Sequence, residues 1–384
     1  MRRSLYITNS DKGGDLMRRH EHTPAQYKIY VTLCLLLGAA ITLSALFLLQ
    51  KLLVPKYQRG VVEGSMIAEY YDSTEPHEVL FLGDCEVYEN ISTVALYRDF
   101  GISSYIRGSA QQLTWQSYYL LEDTLRYETP EVVVFNVLAL KYGEPQSESY
   151  NRMTLDGMRW SSSKWNAIEA SMTEGENMID YVFPFFRYHS RWNELTPSDF
   201  EYVFDRDRVT VNGYYMRTDV TPEAGFPDPT PLTDYTLPET SMDYLQRMVD
   251  LCRENDIEIV LIKAPTLYPY WYEEWDSQVR EFASDNHIPY INYIYLRDQI
   301  GLDMSTDTYD AGLHLNLSGA EKFADYIGQY LVDHYDLTDY RQYADVARMW
   351  EDDILFYDQL RDAQNAELEQ YGELRSWGVN AIEN

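Results

Sequence analysis

Residues Ile29 to Leu49, IYVTLCLLLGAAITLSALFLL, run for 21 positions without a charged side chain. In lipid every backbone N–H and C=O has to be bonded within its own segment, so a run of this kind is confined to a helix. At 1.5 Å per residue it spans about 30 Å, the thickness of a hydrocarbon core. The run is longer than the apolar part of a secretory signal, and QKLLVPKY follows it in place of a small-x-small cleavage site. An uncleaved transmembrane anchor over residues 29–50 is therefore expected. Six basic residues precede it (Arg2, Arg3, Lys12, Arg18, Arg19, Lys28) and three follow closely (Lys51, Lys56, Arg59). That asymmetry predicts a cytoplasmic N-terminus at residues 1–28, a linker at 51–75, and a main domain outside the cell membrane.

Beyond the anchor, a chain of 384 residues with 45% hydrophobic content has enough apolar surface for a sizeable core. A net charge of −31, from 62 acidic and 31 basic residues, repels phosphate backbones and leaves no basic stripe. Nucleic acid is excluded as a partner on that ground. Of three cysteines, Cys34 lies inside the apolar run, so only Cys85 and Cys252 could pair and nothing requires it. No CxxC or His/Cys cluster has zinc spacing, and no metal or cofactor is expected. Thirty-five tyrosines are first a half-buried packing residue and second a surface on which sugar rings could stack.

Strand-like and helix-like segments then alternate. Short apolar or β-branched runs occur at Glu78–Leu82, Ser104–Ile106, Glu131–Val137, Ile257–Ile262 and Pro289–Asn292. Between them, apolar residues at three- and four-residue spacing predict helices over Ile91–Asp99, Leu113–Tyr127, Met242–Asn255 and Tyr272–Asn286. The alternation predicts an α/β fold with a mostly parallel, doubly wound sheet, occupying residues 76–335. It is interrupted by a long insert, about 142–240, whose centre YVFPFFRYHSRW mixes aromatics with Arg187, His189 and Arg191. Ser318 and Glu321 have capping-box spacing, which predicts a helix starting just after His314. The tail from 336 to 384 is acidic and helix-prone, and is expected to be a solvated or partner-packing appendage.

One constellation offers chemistry. VLFLGDCE, Val79 to Glu86, has the form of a buried strand that stops at a turn and presents a thiol, with a helix start beyond it that would favour the thiolate. Asp84 beside the thiol opposes that. Acyl transfer also needs a base and a group that orients it. His314 is the best placed of seven histidines, and Asp310 precedes it by four residues. An isolated Asp/His pair in a loop is more often ordinary polar surface. Ligands of open α/β sheets bind beyond the carboxyl ends of the strands, which here adds the turn KAPTLYPYWYEEW and its Tyr268, Tyr270, Trp271 and Tyr272. Stacking on a glycan and packing in the core are equal readings for those rings, and Arg187 of the insert is a further candidate contact.

These residues carry a family resemblance. VLFLGDCE is similar to the first block of the SGNH (GDSL-type) hydrolases, with Cys85 where the family's serine stands. YIRGSAQQ resembles the second block and supplies Gly108. VVVFNVLAL lies where the third block has its asparagine, here Asn136, and DAGLHLNLSGAEKF resembles the last, with Asp310 and His314. The resemblance covers about residues 76–335. It implies a flavodoxin-like α/β/α sandwich, an acyl-enzyme on residue 85, His314 as general base and acid, and an oxyanion hole from the N–H groups of Cys85 and Gly108 with the Asn136 side chain. An anchored, outward-facing member resembles proteins that add or remove O-acyl groups on cell-envelope polysaccharides or glycolipids, beside a membrane-bound O-acyltransferase as partner. Three features depart from the pattern: cysteine replaces serine, three residues rather than two separate Asp310 from His314, and the third block lacks its Gly-x-Asn-Asp form. Asp307 is the alternative orienting acid. The departures motivate a second expectation, an inactive SGNH-fold binding or scaffold protein. A cysteine protease fits the strand-turn thiol and the late Asp/His loop poorly.

Overall fold

The structure is a computed structural model that describes residues 24–55, 66–226, 228–376 and 378–383. Residues 1–23 of the expected cytoplasmic stretch 1–28, and residues 56–65 of the expected linker 51–75, lie outside the described residues. The chain divides into two units, Met1–Lys51 and Leu52–Asn384. In the first, the apolar run lies within one helix, Pro24–Leu53, with a mean hydropathy of 2.4 over its most apolar window. The leucines and isoleucines of the apolar run itself are exposed, whereas Leu53 at the helix end is buried. Among the described residues it is the one helix long and apolar enough to cross a membrane.

The second unit is built on a five-stranded parallel sheet: β1 (Val79–Gly83), β2 (Ser104–Gly108), β3 (Val132–Asn136), β4 (Glu258–Lys263) and β5 (Tyr290–Asn292). The spatial order is β2-β1-β3-β4-β5, the flavodoxin-like doubly wound order. Each strand falls within one or two residues of its sequence expectation. For β1, β3 and β4 the reason is burial on both faces, which makes a parallel strand a nearly continuous apolar run.

Alternate residues divide the core into two layers. Val79, Phe81, Val132, Val134, Val260 and Ile262 point into one, packed against the helices Thr93–Phe100, Leu317–His334 and Ala344–Tyr371. Leu80, Leu82, Val133, Phe135, Ile259 and Leu261 point into the other, against Thr114–Thr124, Ser162–Ser171, Glu239–Glu254 and Glu273–Asp285. The result is the expected three-layer α/β/α sandwich.

Two expectations are corrected by the packing. The 336–384 tail is no solvated appendage: Trp350, Tyr357 and Leu360 are fully buried in the first core layer. The indole of Trp350 stacks on Tyr97 at 4.4 Å and 4° and donates to Ser103 Oγ at 3.0 Å. The helix Leu317–His334 is capped by Asn316, whose Oδ1 accepts from Gly319 N at 3.2 Å. Ser318 instead donates to Asp307 and Glu321 accepts from Tyr357, so the predicted capping box does not form.

The insert forms short helices, and its end serves the sheet. Residues 214–221 return beside the loop 306–317, where Thr221 N donates to Thr308 O, Ala311 N to Thr221 O and Leu317 N to Arg217 O. This brace holds the loop that carries His314.

Candidate active site

β1 ends at Gly83, whose φ of +154° is one that few L side chains adopt. A Cβ there would lie 2.5 Å from Val87 Cγ2 and 3.0 Å from Asn136 Cβ. Glycine thus permits the sharp turn into the short helix Cys85–Tyr88, capped by Asp84 Oδ1 accepting from Glu86 N at 3.2 Å. The thiol of Cys85 is brought to the carboxyl rim of the sheet as the first helical residue. Gly108, at the end of β2, pairs with Gly83, and a side chain there would press on Gly83 O at 3.1 Å.

The imidazole of His314 arrives from the other end of the chain and lies close enough to the Cys85 thiol for each to shift the other's hold on its proton. Its Nδ1 sits 2.6 Å from Asp310 Oδ2, and its backbone N–H donates to Asp310 Oδ1 at 2.8 Å. With Nδ1 held by the carboxylate, Nε2 is the nitrogen left for the thiol, the tautomer a general base requires. The extra residue between Asp310 and His314 is accommodated by Ala311 at φ +65° and Gly312 at φ +100°. Asp307 is engaged elsewhere, with Lys322 Nζ at 2.6 Å, Ser318 and Asp303 N.

Other neighbours were not foreseen from sequence. Glu89, four residues past Cys85 and buried, places Oε2 3.5 Å from His314 Nδ1 and accepts a short hydrogen bond from Tyr309. Asn90 Oδ1 accepts from Leu315 N at 2.7 Å, tying the segment after Cys85 directly to the histidine loop. Below the thiol, Lys263 Nζ is fully buried and bonds both oxygens of Glu86 at 2.8 Å, with Thr266 donating to the same carboxylate. A lysine closing the apolar run EIVLIK was the available sequence signal for this pair. Lys141, after β3, lies over the ring of Tyr142 at 5.0 Å and close enough to Cys85 for the two to interact electrostatically.

Asn136 is at the rim beside this cluster, but its amide is already engaged. Nδ2 donates to Glu86 Oε2 at 3.0 Å and Asp84 Oδ1 at 3.3 Å, and Oδ1 accepts from Ala264 N at 3.1 Å. In this arrangement it ties the ends of β3 and β4 to the turn that carries Cys85. Of the candidate contacts, Tyr268 stacks on Phe226 at 5.1 Å, and Phe226 covers Gly312 of the histidine loop. Tyr270 packs edge-on against Tyr268 at 5.7 Å. Trp271 faces away into packing, donating to Asp276 and lying against Trp275. Arg187 is bound to Glu148 at 2.7 Å.

The electrostatics are divided. Cys85 is partly exposed at the rim, yet its surroundings exclude enough water to push the thiol up to about 11, with Asp84 and Glu89 adding to the rise and His314 opposing it. Burial would lower the His314 imidazole, but Glu89, Cys85 and Asp310 outweigh it and hold the ring well above its ordinary value. Burial together with Glu86 pushes the Asp84 carboxyl up to about 6. Burial depresses the Lys141 ammonium, which Asp84 and Glu86 partly offset.

No protein-family model and no curated protein matches the chain. Solved structures similar to it include a candidate acylhydrolase of Bacteroides fragilis, at 11% identity and a TM-score of 0.34, covering 69% of this chain and 94% of that one. A candidate lipolytic protein of the G-D-S-L family from Desulfitobacterium hafniense matches at 13% identity and a TM-score of 0.32, covering 66% and 98%. A GDSL-like lipase from Bacteroides thetaiotaomicron matches at 13% and 0.33, covering 71% and 100%. At scores this low no residue role or activity passes from them to this chain.

Proposed function

We propose that the chain is a membrane-anchored, extracytoplasmic SGNH-type esterase or O-acyltransferase acting on acyl groups of a cell-envelope polysaccharide or glycolipid, through an acyl-enzyme on Cys85. The observation that supports it is the approach of Cys85 and His314, whose Nδ1 sits 2.6 Å from Asp310 Oδ2, at the carboxyl rim of a flavodoxin-like sheet. Ester chemistry follows from the groups present. Cys85 Sγ attacks the ester carbonyl while His314 Nε2 takes the thiol proton; the tetrahedral oxyanion collapses, the C–O bond breaks, and the same proton goes to the departing alkoxide. The thioester is then attacked by water or by a sugar hydroxyl, whose proton His314 accepts and returns to Sγ.

Asp310 keeps the ring in register and stabilises the imidazolium. The backbone N–H groups of Cys85 and Gly108 are the oxyanion donors of this reading, and the Lys141 ammonium would stabilise the same charge; Asn136 would have to release Glu86 to join them. A membrane-bound O-acyltransferase is the partner that would supply activated acyl groups. The full chain in detergent should hydrolyse p-nitrophenyl acetate and yield a hydroxylamine-labile acetyl adduct on the peptide containing Cys85. Hydrolysis that persists unchanged in Cys85→Ala would sink the reading.

The engaged Asn136 amide and the raised thiol favour a second reading, an inactive binding or scaffold member of an envelope-acylation system. It requires that Cys85 react with iodoacetamide no faster than a free thiol, and that polysaccharide binding survive both Cys85→Ala and His314→Ala.

A further inference from the structure

Phenylalanine and tryptophan are ordinarily turned inward, and in this globular unit the exceptions are concentrated. Among its described residues, every Phe or Trp left largely exposed falls between positions 160 and 204, and six of them lie in 183–204. Trp192 is 72% exposed and Phe204 84%. Phe183 and Phe185 pack their rings edge-on against Phe186, at 6.3 and 6.2 Å, so they make one apolar surface. Contiguous exposed apolar area of this kind marks a surface that meets another apolar phase or partner.

Its position along the chain says which. Arg191, in the turn between Phe186 and Trp192, donates through Nη1 to Leu53 O at 2.7 Å and through Nη2 to Asp199 Oδ1 at 3.1 Å. One guanidinium therefore ties the aromatic turns, and the helix Pro197–Tyr202 that bears Phe200, to the last residue of the helix Pro24–Leu53. Leu53 lies four residues beyond Leu49, where the uncharged run ends, and at 1.5 Å per helical residue that is about 6 Å of chain. A segment fastened there sits at the depth where Trp and Phe rings are favoured, between acyl chains and headgroups, and where arginine meets lipid phosphate.

We infer that residues 183–204 are an interfacial docking face that lies on the lipid bilayer, immersing Phe186, Trp192 and Phe204 in the headgroup region. The inference rests on the reading of Ile29–Leu49 as a membrane anchor. It gives the globular unit a second attachment besides the tether.

The test is photocrosslinking of the full chain in phosphatidylcholine vesicles, with p-benzoylphenylalanine placed singly at Phe186, Trp192 or Phe204. Leu43 within the apolar run is the positive control, and the exposed Tyr295 is the negative one. Phospholipid adducts at all three positions, within a few-fold of the yield at Leu43 and absent at Tyr295, are expected. Adducts at Leu43 alone would overturn the docking face and leave the anchor standing. No adduct at Leu43 either would overturn both. Cross-links in native membranes to a protein in place of lipid would also overturn the inference and assign the face to a protein partner.

Discussion

The thiol of Cys85 is a group under opposing pulls. Burial, Asp84 and Glu89 hold its proton on, and His314 draws it off. Removing a pull has a readable sign. Asp84→Asn keeps the cap oxygen and deletes the charge, so iodoacetamide should alkylate Cys85 faster at pH 8 than in the wild type. His314→Ala should slow the same reaction, and should cut esterase turnover by roughly 10²–10⁴-fold, the usual yield of a positioned general base. Stopped-flow alkylation with peptide mapping measures the first two and p-nitrophenyl acetate hydrolysis the third. Glu89→Gln removes the largest of the influences that raise the ring, so the imidazolium limb of the alkylation profile should move to lower pH.

Asp84 also makes stability depend on pH. Its folded value of about 6 exceeds the ordinary 3.8, so the folded state binds that proton more tightly than the unfolded chain does. The contribution is fully present below 3.8 and is lost as pH rises through 6; the span corresponds to roughly 3 kcal/mol. Asp353, also raised to about 6, and His77, raised to about 9, act with the same sign. Thermal denaturation should therefore show a higher Tm at pH 5 than at pH 8, and a smaller difference in Asp84→Asn. The sequence singles out Cys85, His314 and Asp310 as candidates because turn residues after an apolar run and an Asp/His loop are local signals. It did not identify Glu89, Lys141 or Lys263, whose roles depend on what long-range folding puts beside them.

At the scale of elements, β1, β3 and β4 were legible because burial on both faces leaves them almost nothing but apolar residues, β2 and the half-buried β5 by their place in the alternation, and the helices because the apolar stripe repeats at helical spacing. The cap of Leu317–His334 differs from the capping-box expectation for a physical reason: Asn316 and Ser318 both suit the position, and Asp307, remote in local pattern, claims the serine. The turn after β1 carries strain that only glycine avoids. Gly83→Ala should cost about 1–3 kcal/mol from backbone alone, more if Val87 and Asn136 cannot shift, measured by urea denaturation. The Lys263–Glu86 pair is a second element-scale feature. Lys263→Met leaves Glu86 charged in the interior and should destabilise by about 3–5 kcal/mol, much of it recovered in Lys263→Met/Glu86→Gln.

At the scale of the molecule, the C-terminal helix closes one face of the sandwich. Trp350 stacks on Tyr97, Tyr357 reaches Ser92, and Gln364 bonds Met216 O and Thr218 N of the insert. Truncation after Tyr335 should uncover the first core layer and yield insoluble protein. Trp350→Ala should cost about 3–5 kcal/mol, as loss of a buried large aromatic does, and shift the urea midpoint accordingly. By itself the sequence determined the apolar helix, the alternation that builds a parallel α/β sandwich, and the residue types of a thiol, base and acid, since hydrophobic period and turn chemistry are properties of neighbours along the chain. Only the tertiary structure decided that Cys85 and His314 meet, that Asn136 is spent on Glu86 and Asp84, and that an acidic tail belongs to the core. Those outcomes follow from which distant groups compete for the same buried hydrogen bonds and charges, and no local pattern encodes that competition.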